Sequence, residues 1–215
     1  MLVKDRMSTP PVTITADTVF RDALKLMHHR RFRRLPVVDD GGKLVGIVSE
    51  RDLVHASPSH GPALSVWELN YLLSSVEIRQ VMTADVITTT PETPIEDAAR
   101  LMADNKIGGL PVVEDQKKVV GVITETDIFK AFVEMFAGGR PGLRLTLGVP
   151  EGTEVLAELG QTISSLGGHI VSVGSFYGDV AGRRGLVIKV QDASREQLIE
   201  LLEDLGERVV DAREV

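Results

Sequence analysis

Cysteine is absent from the 215 residues, which excludes disulfides, thiolate metal sites and thiol catalysis together. Its absence accords with a reducing cytoplasm, the expected location. Aromatic residues make up only 4%, so aliphatic Val, Leu and Ile must build any core. No apolar run approaches the roughly 20 residues that cross a bilayer, and the opening Met1–Pro11 has no apolar signal-peptide region. No membrane partner is expected. Positive charge is also in short supply. The net charge is −7, with 17 basic against 19 acidic side chains over residues 1–140 and 7 against 12 over residues 141–215. Neither stretch offers the positive field that holds a nucleic-acid backbone, so no nucleic-acid partner is expected either. The catalytic signatures are missing too: no P-loop, no His-Glu-x-x-His, no Gly-x-Ser-x-Gly. Adjacent His28 and His29 have no carboxylate at metal-ligand spacing. The expectation is a non-catalytic protein without a metal or required cofactor.

What is present is an internal repeat. Shifting the chain by 75 residues lays Val3–Ala56 on Ile78–Ala131 without a gap, and about one third of the 54 positions are identical. The matches include Met7 with Met82, Leu35-Pro36-Val37-Val38 with Leu110-Pro111-Val112-Val113, Gly46 with Gly121, and Asp52 with Asp127. Each copy reads as a short β-branched strand, a helix, a Leu-Pro-Val-Val strand, a turn, a second strand and a closing helix from Ser49 or Thr124. Such units expose an apolar sheet face, so the copies should pack together about a pseudo-two-fold axis. The domain plan is repeat 1 over residues 1–56, a connecting helical segment over 57–77 and repeat 2 over 78–137. A flexible hinge at Gly138–Gly142 follows. Within the connector, Trp67 and Tyr71 recur at helical spacing, as expected of a docked helix.

One motif occurs twice: Gly46-Ile47-Val48-Ser49-Glu50-Arg51-Asp52 and Gly121-Val122-Ile123-Thr124-Glu125-Thr126-Asp127. Its plain reading is a helix capping box with Asp in the place of Glu. Its functional reading rests on what a nucleotide needs. Glycine allows close approach to backbone, a hydroxyl at a helix start suits phosphate, and an ionised Asp has two oxygens for a ribose diol. The run His28–Arg34 likewise reads either as a solvated helix end or as a positive rim that attracts phosphate.

The paired repeats, each with Leu-Pro-Val-Val and Gly-x-x-[Ser/Thr]-x-x-Asp, resemble a tandem CBS-domain (Bateman) module over residues 1–135. The resemblance implies two clefts between the repeats that take AMP, ADP, ATP or S-adenosylmethionine as a regulatory ligand. Each cleft would draw its ribose-binding residues from one repeat and its adenine wall from the other. The first would use Ser49 and Asp52 with Gly46, a phosphate contact from Arg34, and a wall of Val86, Ile107 and Gly108. The second would use Thr124 and Asp127 with Gly121, a wall of Pro11, Phe32 and Arg33, and Gly109 where the first has Arg34. Lacking that cation, the second cleft is expected to bind more weakly.

Residues 143–215 read strand, helix, strand, strand, helix, strand, with a Gly-rich hairpin loop at Tyr177–Gly185. That βαββαβ order is ferredoxin-like, so the fold class expected for the whole chain is α/β (α+β). Val155–Leu159 and Gly168-His169-Ile170 resemble the corresponding parts of an ACT domain, a family that binds amino acids or pairs side by side. Pro150–Glu154 departs from the acidic-Pro-Gly signature of amino-acid-binding members, with Gly152 displaced by two places. CBS repeats followed by an ACT-like piece are similar to the acetoin-utilization AcuB group. The expected protein is a regulatory homodimer that senses an adenine nucleotide and acts on an enzyme partner. An amino-acid sensor with a structural CBS pair, or a dimerisation scaffold, is the alternative.

Overall fold

Each repeat builds the same elements because it carries the same apolar spacing. Repeat 1 gives β1 (Ile14–Thr15), α1 (Phe20–Arg30), β2 (Arg34–Val38), β3 (Leu44–Ser49) and α2 (Glu50–Ala56). Repeat 2 gives α3 (Ile95–Asn105), β4 (Gly109–Glu114), β5 (Lys118–Thr124) and α4 (Glu125–Met135). The computed structural model describes residues 1–56, 76–149, 155–180 and 183–215, in two units, Met1–Ile128 and Phe129–Val215. Helix α1 buries Phe20, Ala23 and Met27, and α3 buries Ile95, Ala98 and Met102, one stripe three and four residues apart in each. Both helices end on a cation in the left-handed conformation, Arg31 at φ 57° and Lys106 at φ 54°, where glycine is the usual residue.

In repeat 1, β1 runs parallel to β2, and β2 pairs antiparallel with β3. In repeat 2, β4 pairs antiparallel with β5, and a single parallel bridge from Thr89 to Val112 stands where β1 meets β2. The repeats meet at equivalent residues, as a two-fold axis requires. Val38 and Leu44 pack on Val113 and Val119, and Lys43 bridges its own counterpart Lys118.

They also exchange their leading segments. Val3 N–H donates to Thr93 O, Lys4 N–H to Pro91 O, and Ser8 pairs with Val122. Reciprocally, Ile78 N–H donates to Thr18 O, Arg79 N–H to Ala16 O, and Thr83 pairs with Ile47. Ile78 is fully buried in the core of repeat 1 beside Met27, Leu35 and Val48. Each repeat therefore completes its core with a piece of the other, which makes the pair one folding unit rather than two.

The second unit contains β6 (Leu143–Val149), α5 (Val155–Ser165), β7 (His169–Val180), β8 (Arg183–Gln191), α6 (Arg195–Asp204) and β9 (Arg208–Glu214). Its sheet order is β7-β8-β6-β9 with every neighbour antiparallel, the ferredoxin-like arrangement. Leu143, Leu145 and Leu147 alternate inward and meet Val155, Leu159 and Ile163 of α5 and Leu198 and Leu202 of α6. The mixed α/β class expected from the sequence is the class observed.

The division between units falls inside α4, after Ile128, and the stretch expected as a hinge, Gly138–Gly142, lies among specific hydrogen bonds of the second unit. The buried Lys189 Nζ donates to Ala137 O and Arg140 O, each at 2.9 Å, and Gly142 exchanges both backbone hydrogen bonds with Val215. Glycine-rich composition signals freedom only where no partner holds the carbonyls; here a buried ammonium holds two. Likewise β7 continues to Val180 and β8 starts at Arg183, so strand pairing takes up most of the expected Tyr177–Gly185 loop. The connecting segment with Trp67 and Tyr71, and the Pro150–Glu154 stretch, lie outside the described residues.

Candidate functional site

Ser49 ends β3 and caps α2, and the capping box is complete. Asp52 Oδ2 accepts from Ser49 N–H at 2.8 Å and from Ser49 Oγ at 2.7 Å, while Asp52 N–H donates back to Oγ at 3.2 Å. Thr124 and Asp127 repeat the arrangement at 2.9, 2.7 and 3.4 Å. The plain reading of the repeated motif is therefore realised twice. The box does not exhaust the Asp: in each copy it uses Oδ2, so the cap fixes the carboxylate's position while the other oxygen takes no part in it.

The first box opens onto a cavity of about 480 Å³ lined by both repeats. Repeat 1 contributes Arg34, Ser49 and Asp52; the second contributes Val86, Ile107 and Gly108. Those six residues, assigned to one cleft from the sequence, come together. The volume lies in the range of small-molecule pockets. Four cationic side chains line it, Arg33, Arg34, Arg51 and Lys106, against three carboxylates, Glu50, Asp52 and Asp85. Glu50 also approaches His28, Oε1 to Nε2 at 3.3 Å.

Arg34 reaches across toward repeat 2. Its guanidinium lies against Gly109, where any Cβ would collide with Nη1, and a Cβ at Gly108 would stand 2.6 Å from Nη2. Burial, chiefly, and then the neighbouring Arg33 push this guanidinium below its ordinary pKa, while Glu125 opposes both. Arg34 and Gly109 are symmetry equivalents, each in register with its own cap residue, Ser49 or Thr124. Two arginines at this pair of positions would bring two guanidinium groups together; Arg opposite Gly-Gly admits one.

Several assigned residues sit elsewhere. Gly46 does not line this cavity: a Cβ there would be 2.6 Å from Met82 Sδ and 3.1 Å from Thr83 O. Gly121 faces Met7 Sδ and Ser8 O at the same distances. At both glycines the missing side chain makes room for the exchanged segment. Arg33 and Gly109, placed in the second cleft from the sequence, line the first; Arg33 directly precedes β2 and Gly109 opens β4. Pro11 is half-buried and Phe32 is 37% exposed.

Sequence reasoning missed Ile47, Thr83, Asp85, Arg51 and Lys106. Thr83 and Asp85 arrive through the pairing of Thr83 with Ile47, a contact between repeats that no local pattern announces. Lys106 had a usable signal, since it aligns with Arg31 at the end of the equivalent helix. Among the described residues, no group of three or more His, Cys, Asp or Glu is placed to hold a metal ion, and no helix is long and apolar enough to cross a membrane.

The CBS domain family model matches residues 3–59 and 78–134, which is more than half of the chain and covers both repeats. This chain belongs to the CBS domain family, as a tandem pair. The CBS pair of protein MJ0100, solved with 5′-methylthioadenosine and S-adenosyl-L-methionine, is 34% identical with a TM-score of 0.53, covering 62% of this chain and 97% of that one. The AcuB protein of Vibrio cholerae is 32% identical with a TM-score of 0.54, covering 64% and 93%. CBSX2 solved with AMP, a protein of Arabidopsis thaliana, is 30% identical with a TM-score of 0.52, covering 62% and 96%. The L-aspartate semialdehyde sulfurtransferase of Methanocaldococcus jannaschii is 34% identical over 131 residues, but this chain spans only 23% of that enzyme's length.

Proposed function

We propose that this is a non-catalytic regulatory protein that binds an adenine nucleotide in its first inter-repeat cavity. The observation that carries the reading is the joint lining of that cavity: the Ser49–Asp52 box and Arg34 from one repeat, Val86, Ile107 and Gly108 from the other. Asp52 accepts hydrogen bonds from the ribose, Val86, Ile107 and Gly108 flank the adenine, and Arg34 meets phosphate. Similarity to CBS pairs solved with AMP and with S-adenosyl-L-methionine supports an adenosine-containing ligand. Thr124 and Asp127 form a second, weaker site with Pro11 and Phe32. A ligand that touches both repeats favours one packing of the pair, and a partner enzyme reads the shift in population.

The C-terminal unit is an ACT-like module on this reading. Its edge strand β7 exposes Ile170, Val173, Phe176 and Tyr177, the last at 93%, which favours pairing with a second copy over amino-acid capture. The protein is then a cytoplasmic homodimer. Calorimetry of the full chain against AMP, ADP, ATP and S-adenosylmethionine tests the ligand. Saturable heat with at least one of them is expected, whereas no heat and no change in melting temperature with any would refute the reading. Light scattering tests the dimer, and a monomer at all concentrations would count against it.

A further inference from the structure

Arg34 serves the cavity, but it also lies beside a carboxylate outside the cavity's lining. Glu125, the first residue of α4, places Oε2 2.9 Å from the point that a Cβ at Gly108 would occupy, and Arg34 Nη2 lies 2.6 Å from the same point. The arrangement depends on the missing side chains at Gly108 and Gly109. Glu125 is anchored there by its backbone, whose N–H donates to Gly108 O at 3.2 Å. Its equivalent in repeat 1 behaves differently. Glu50 lines the cavity itself and approaches His28, so the pseudo-symmetry is broken at this pair of acids as well as at Arg34 and Gly109.

We infer that Glu125 is a specificity-determining residue that competes with a bound phosphate for Arg34, and so sets how strongly the first cavity prefers a phosphorylated ligand over the bare nucleoside. The inference rests on the adenine-nucleotide reading of that cavity. A phosphate drawn to Arg34 meets a guanidinium whose charge the nearby Glu125 partly offsets, and bears the repulsion of that carboxylate; an uncharged adenosine does neither. The carboxylate is solvent-exposed, which screens the effect without abolishing it. Because Glu125 directly follows Thr124, the competition also ties phosphate occupancy of the first cavity to the start of the helix that carries the Asp127 cap.

The test is calorimetry of AMP and adenosine against the full chain, Glu125→Gln, Arg34→Met and the double variant, at low and high salt. Glu125→Gln is expected to tighten AMP about threefold at low salt and to leave adenosine unchanged, as expected for one screened charge at this range. In the Arg34→Met background the same change should move AMP by much less. The inference is overturned if Glu125→Gln weakens AMP, shifts AMP and adenosine alike, or acts equally with Arg34 gone. If the unmodified protein binds AMP and the Gln variant matches it, this inference alone falls. If neither AMP nor adenosine binds the unmodified protein, the ligand reading itself has failed, and this inference with it.

Discussion

Replacing Asp52 and Asp127 by Ala, one at a time, separates structure from recognition, because the two carboxylates make nearly the same internal bonds. Each accepts from its cap residue's N–H and hydroxyl at 2.7 to 2.9 Å. Loss of a capping box removes about 1–2 kcal/mol of stability. For a cooperative unit of Met1–Ile128, that is a fall in melting temperature of about 4–8 °C, and it should be equal in the two variants. Binding should not be equal. Asp52 lines the cavity, so under the proposed function its removal also takes away charged hydrogen bonds to the ribose, each worth about 1.5–3 kcal/mol, or roughly ten- to a hundredfold in affinity. Asp127→Ala should leave the tighter AMP site within about twofold of the unmodified protein. Differential scanning calorimetry measures the first quantity and isothermal titration the second. Equal losses of affinity in both variants would refute the ranking of the sites. Unequal losses of stability would refute the symmetry of the caps.

Three further outcomes follow from the geometry. Gly46→Ala and Gly121→Ala each set a Cβ 2.6 Å from a Met sulfur and 3.1 Å from a backbone carbonyl. Both should cost about 1–3 kcal/mol by overpacking, and chemical denaturation should find the two nearly alike. Lys189→Met leaves Ala137 O and Arg140 O without the donor they share, so hydrogen exchange should show the Gly142 amide losing protection while the β6–β8 ladder keeps it. Asp211 accepts two hydrogen bonds from Arg213 at 2.8 and 2.6 Å, and this holds its carboxyl below the ordinary 3.8. A depressed folded-state value stabilises above the unfolded pKa, and the contribution is lost as pH falls through the folded value. Melting curves of Asp211→Asn and the unmodified protein should therefore differ at about pH 6 and converge toward about pH 2; a constant gap would show that the carboxylate's charge is not the cause.

Much of the fold was written in local patterns. The 75-residue repeat, the alternating Leu143, Leu145 and Leu147, and the stripe of Ile95, Ala98 and Met102 depend on spacing along the chain, and spacing is what a sequence displays. The Ser49–Asp52 and Thr124–Asp127 boxes were legible for the same reason, since a cap and its partner are three residues apart. Family resemblance supplied the rest of the first cavity's partners, Arg34, Val86, Ile107 and Gly108. The sequence could not show the exchange of leading segments, which gives Gly46 its role against Met82 and brings Thr83 and Asp85 to the cavity. Nor could it show that Lys189 holds the carbonyls at 137 and 140, or that Arg34 lies over Gly108 and Gly109 beside Glu125. These are contacts between residues from roughly 35 to more than 100 positions apart. Local propensity carries no record of such a pair; only a chain already folded about its pseudo-two-fold axis brings its members within reach of each other.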